Sequence, residues 1–202
     1  MFLVLPKMHP VLDEYRNLPM FFFGGPILGG GDWHSKMSEM LMRRLDELII
    51  VNPSRYSTAH PHYKYREYLE TKTKHAQRSG PIINFERQTD WERYYLALAA
   101  EHWGTGCVIF WLAEQKEPRA DGMPYAMDTR GELGEWRAHL MYNPHVRVVI
   151  GAEKNFPGLS VIKRNFELAL PNFTIYDTME EVVERAVHFS HPSLSFLERA
   201  RT

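Results

Sequence analysis

A single cysteine, Cys107, among 202 residues leaves no partner for an internal disulfide. It opens an apolar run and reads as a core thiol rather than a nucleophile. Neither sign of charge is in excess: 24 Lys and Arg face 25 Asp and Glu, for a formal net charge of −1. Nucleic acid and anionic membranes are therefore not expected partners. No apolar run approaches the roughly 20 residues of a membrane helix. The opening Met1-Phe2-Leu3-Val4-Leu5-Pro6-Lys7 lacks the basic start and apolar length of a secretion signal. The expectation is a soluble, cytoplasmic protein. A Walker-type Gly-Lys-Ser/Thr is missing, and Gly24-Gly25-Pro26-Ile27-Leu28-Gly29-Gly30-Gly31 does not fit G-x-G-x-x-G, because Pro26 stands where the second glycine belongs. His60 and His62 have a spacing that suits a metal, but no carboxylate or thiol cluster accompanies them. They read as a surface pair, and neither metal nor cofactor is expected.

What is present describes a globular α/β domain. Apolar residues make up 44% and charged residues 24%, ordinary values for one domain spanning 1–202. Met20-Phe21-Phe22-Phe23, Leu48-Ile49-Ile50-Val51 and the run 107–112 are continuous apolar segments, the signature of strands buried on both faces. Val146–Ile150 and Phe173–Tyr176 add a fourth and fifth. Between them the period lengthens to that of helices. One runs from Trp33 to about Leu45 with Asp32 as N-cap, another from Gln88 to His102, and a third from about 130 to 142. Two more cover Gly158–Leu168 and Thr178–Phe189, the last with capping-box spacing between Thr178 and Glu181. Residues 54–86 are rich in Tyr, His and Lys and read as an insertion, with a helix around 62–76. Strands alternating with helices predict a flavodoxin-like three-layer sandwich, its parallel sheet of about five strands ordered 2-1-3-4-5.

In that order the first and third strands meet at the topological switch point, where open α/β sheets bind ligands beyond the strand carboxyl ends. The glycine-rich loop Gly24–Asp32 and the loop 113–132 then flank one crevice. Gly24 and Gly25 let a ligand approach the backbone. Trp33 offers a ring for stacking or for the core, and Arg55 follows Asn52-Pro53 towards the crevice or the nearby surface. Glu132, in Asp128-Thr129-Arg130-Gly131-Glu132-Leu133-Gly134-Glu135-Trp136, is expected in the first turn of its helix. There the unpaired N–H groups and helix dipole favour an anion.

Phe22-Phe23-Gly24-Gly25-Pro26-Ile27, Ile50-Val51-Asn52-Pro53-Ser54-Arg55, Phe85-Glu86-Arg87-Gln88-Thr89-Asp90-Trp91-Glu92, Val108-Ile109-Phe110-Trp111 and Gly131-Glu132-Leu133-Gly134 occur in an order that resembles the nucleoside 2-deoxyribosyltransferase-like family. The resemblance spans roughly residues 20–185 and implies a flavodoxin-like fold, with Glu132 in the place of the catalytic glutamate. An ionised carboxylate there attacks deoxyribose C1′ as the base departs, giving a covalent glycosyl-enzyme. A second base then completes transfer, or water completes hydrolysis. The departing base needs a proton. The family's Asp before the third strand is missing, since the chain reads Thr105-Gly106-Cys107. Asp128, one turn from Glu132, is the first substitute, with Glu114 and Asp90 behind it. The Ser and Arg that hold a 5′-phosphate in related nucleotide N-glycosidases are replaced by Gly25-Pro26-Ile27-Leu28, which favours nucleosides. Asp32 and Trp33, at the end of the glycine loop, flank the crevice by the strand order. By the resemblance Gln88, Asp90 and Trp91 approach the site, and a homodimer or larger homo-oligomer is implied. Base transfer between 2′-deoxyribonucleosides is the leading expectation. N-glycoside hydrolysis is the alternative, and a non-catalytic nucleotide-binding module the third reading.

Overall fold

A computed structural model describes residues 2–4, 15–54, 87–119, 121–143 and 145–191. The greater part of the insertion, with Arg55, His60, His62 and the helix around 62–76, lies outside the described residues. In chain order the elements are β1 (Phe2–Val4), β2 (Met20–Gly24), α1 (Trp33–Met42), β3 (Ile49–Val51), α2 (Gln88–Ala97), β4 (Gly106–Leu112), α3 (Met127–Tyr142), β5 (Val148–Ala152), α4 (Leu159–Ala169), β6 (Ile175–Tyr176) and α5 (Met179–His188). A single π-helical turn, Leu98–His102, continues α2.

All strand pairs are parallel, and the sheet order is β1-β3-β2-β4-β5-β6. The expected order of five strands is therefore present, with β1 added at the edge beside β3. The apolar runs explain the layering. Alternate side chains of a strand face opposite ways, so Phe21 and Phe23 pack with Trp33, Met37 and Leu41 of α1 and Val182 and Val183 of α5. Met20 and Phe22 pack on the other side with Trp91 and Tyr95 of α2, Leu133 and Trp136 of α3 and Phe166 of α4. Phe21, Phe22 and Phe23 are each at most 1% exposed. Burying one such side chain is worth about 1.5–3 kcal/mol, against about 1 kcal/mol for a helix cap. The strands thus fix the architecture, and the caps set only the boundaries. Two expected caps are in place: Asp32 accepts from Ser35 N at 3.4 Å, and Thr178 with Glu181 forms a full capping box.

Two expectations need correction. The helix read from about 130 begins three residues earlier, at Met127, which puts Glu132 in the second turn and beyond the first-turn N–H groups. The fourth strand is displaced to Val148–Ala152 because Arg147 is drawn out of it, its guanidinium donating to the carbonyls of Gly106 and Ala99 at 2.8 and 3.2 Å. No helix among the described residues is long and apolar enough to cross a membrane.

Candidate active site

At the carboxyl ends of β2 and β3, where the chain crosses from one half of the sheet to the other, lies a cavity of about 680 Å³. That volume falls within the range of small-molecule sites. Phe22, Phe23 and Gly24 form its floor, Gly25 to Leu28 one wall and Pro53 a corner. The remaining walls come from facing helices. α2 supplies Gln88, Glu92 and Arg93, and α3 supplies Asp128, Glu132 and Glu135.

The glycine loop is shaped by contacts a side chain would prevent. Gly25 has φ +140°, and a Cβ there would run into the carbonyl oxygen of Trp111 and lie 2.9 Å from the Trp33 ring. Trp33 Nε1 donates to the Pro26 carbonyl at 2.8 Å, which secures the loop from below. The opposite loop is tied to it, since Lys116 N donates to the Gly29 carbonyl at 2.7 Å. Lys116 Nζ also bridges Glu114 at 2.6 Å and Glu153 at 2.9 Å. Tyr125 Oη, donating to the Ala113 carbonyl at 2.6 Å, fixes the approach to α3. Ala126 then turns through the left-handed region (φ 56°) and α3 begins.

Asp128, Glu132 and Glu135 stand at i, i+4 and i+7 and so share one face of α3. Glu132 remains partly accessible through the cavity, yet the protein around it strips away most of the hydration of its carboxyl. This desolvation, with the charges of Glu92, Asp128 and Glu135 behind it, raises its pKa from 4.5 to about 8, opposed only weakly by Arg93. The expectation of an ionised Glu132 at a helix start is therefore corrected. It lies past the helix dipole's reach among like charges, and in the free protein it holds a proton at neutral pH. The two cavity arginines are already engaged. Arg93 Nη1 meets Glu135 Oε1 at 2.7 Å. Arg119 grips Asp121 through two bonds, holding that carboxyl down at about 2.

Of the residues singled out from sequence, Glu132, Asp128, Gly24, Gly25 and Gln88 meet in this cavity. Trp33 does not line it. It is 2% exposed and stacked on His34 at 3.7 Å, so it supports the loop as a core residue. Asp32 serves α1 as its cap. Trp91 is fully buried against Phe22 and Tyr95, and Asp90 sits in the exposed first turn of α2, off the wall. Glu114 is taken by Lys116, whose hydrogen bond holds its carboxyl below the usual range. Cys107 is buried and its thiol pushed far up by desolvation, as a core residue requires. Sequence reasoning passed over Glu92, Arg93, Arg119 and Glu135 as site residues. Helical spacing was the available signal: Glu92 lies one turn from Gln88, and Glu135 one turn from Glu132. Among the described residues no group of three or more His, Cys, Asp or Glu is arranged to hold a metal ion.

No protein-family model matches the chain, and no curated protein matches it significantly.

Proposed function

We propose that this cavity cleaves the N-glycosidic bond of 2′-deoxyribonucleosides and passes the deoxyribose to a second nucleobase, with Glu132 as the nucleophile at C1′. The observation that carries the reading is the opposed pair of carboxylate-bearing helix faces in a nucleoside-sized cavity at the switch point of a parallel sheet. An oxocarbenium-like transition state is positively charged at the sugar, and such a wall stabilises it. The order of motifs resembling the deoxyribosyltransferase-like family supports the same chemistry. Both cavity arginines are bound to carboxylates, so among the described residues the wall offers no uncommitted cation to a phosphate. That favours nucleosides over nucleotides.

The test is incubation with a deoxynucleoside, with and without an acceptor base. A new nucleoside is expected only in the presence of the acceptor. Free base in both tubes would make the protein a hydrolase, and no turnover across a broad panel would leave a binding module. Glu132→Ala is expected to abolish turnover while the protein stays folded; near-normal turnover sinks the assignment. One observation favours a second role for Glu132. A carboxyl that holds its proton to about pH 8 is also suited to act as a general acid. The pH profile decides. On a substrate whose leaving group needs no proton, a nucleophile must still ionise, so kcat/KM rises through about pH 8, whereas a general acid gives no such rise.

A further inference from the structure

The mechanism leaves open where Glu132's proton goes and what protonates the base. Asp128 stands on the same helix as Glu132, one turn earlier, and its side chain is exposed. Glu92 stands on the opposite helix, is partly buried, and lines the same cavity. Its carboxylate is held in place: Gln88 Nε2, one turn earlier on α2, donates to Glu92 Oε1 at 2.9 Å. A ligand seated between α2 and α3 has Glu132 on one side and Glu92 on the other. Among the described residues the other charged groups on these walls are Arg93 on α2, Asp128 and Glu135 on α3, and Arg119 from the preceding loop. The two arginines are turned to Glu135 and Asp121.

Resting on the reading of Glu132 as nucleophile, we propose that Glu92 is its proton partner, taking the proton from Glu132 as the nucleoside binds and delivering it to the departing base. In this scheme Glu132 brings the proton to the pair. When that proton passes to Glu92, a carboxylate oxygen of Glu132 is freed to bond C1′. The C1′–N bond breaks, its electron pair stays on the base, and the base takes the proton from Glu92. Glu132 is left as a glycosyl ester and Glu92 as a carboxylate. In the second half the incoming base attacks C1′ through nitrogen and loses its N–H proton to Glu92, and Glu132 departs as a carboxylate. Of the charges acting on Glu132, that of Glu92 is the strongest, which agrees with a shared proton. Gln88 is a positioning residue in this scheme.

The experiment compares a natural deoxynucleoside with p-nitrophenyl 2-deoxyriboside, whose phenolate leaves without protonation. Glu92→Gln is expected to lower kcat on the nucleoside by about 100-fold or more, the usual scale of general acid catalysis. The aryl substrate should keep the rate of its first burst of p-nitrophenolate within about threefold, because that half needs no proton from Glu92, and the burst also shows the variant to be folded. The rising limb of its pH profile should move to lower pH, because the negative neighbour is gone. Glu92→Asp, which retains an acid, should recover part of the nucleoside activity, and Gln88→Ala should lose a smaller part than Glu92→Gln. An aryl burst slowed as much as nucleoside turnover, or a nucleoside kcat that survives Glu92→Gln, overturns the assignment of Glu92 and leaves Glu132 standing. A parent protein inert on both substrates overturns the two together.

Discussion

Glu132 is the residue on which physics and sequence pattern diverge. Its position after Gly131 and its place on a helix at the crevice follow from the sequence alone. Its protonation does not, because the burial that strips its carboxyl of water, and after it the charge of Glu92 from forty positions away, arise only from the packing of α2 and α3 against one face of the sheet. A carboxyl raised from 4.5 to about 8 has a definite effect on stability. Between those values the folded protein binds more protons than the unfolded chain, so stability falls as pH rises from about 4.5 to about 8 and then levels off. At about 1.4 kcal/mol per pKa unit the limit is about 5 kcal/mol, and cavity water screens this to about 2 kcal/mol. Glu132→Gln is accordingly expected to melt several degrees above the parent at pH 9 and to match it at pH 4.5. Thermal melts at the two values check this; an equal offset at both would show that the amide acts through packing and not through charge.

At the scale of elements, periodicity identified the core strands and helices and missed what has no period. β1 is three residues long, too short for alternation to register. The early start of α3 escaped because Ala126 makes its left-handed turn without glycine, the residue by which such turns are usually recognised. The glycine loop was legible as a place of close approach, although the group it approaches was not. That group is the backbone of β4 at Trp111. Gly25→Ala must both hold φ at +140° and push its methyl into that carbonyl, so a loss of about 2 kcal/mol or more is expected. Chemical denaturation measures the loss, and the shifted loop should also weaken nucleoside binding. A variant as stable as the parent would show that the loop has room the structure does not contain.

For the whole molecule, the strand order was readable because right-handed parallel crossovers leave few alternatives. The charge of the cavity was not readable, since a net charge of −1 conceals four carboxyl groups and two engaged arginines around one cavity. Adding a 5′-phosphate to the substrate brings two more negative charges to this cavity. We expect kcat/KM for a deoxynucleoside 5′-monophosphate to be at least about tenfold below that of its nucleoside, with the gap narrowing at high salt as screening takes effect. Direct competition between the two substrates measures it, and a preference for the monophosphate would contradict the electrostatic reading.

Among the described residues the two margins of the sheet are β1, of three residues, and β6, of two. An unpaired strand margin is a template on which a second chain can extend the hydrogen-bond ladder, and its hazard grows with its length. The longest strand among the described residues, β4, with seven buried residues, is the one that would most readily drive amyloid-like pairing if exposed. It lies instead between β2 and β5, with two strands or more on either side. The topology that opens a ligand cavity at the carboxyl ends of β2 and β3 therefore also keeps this long apolar strand away from other molecules.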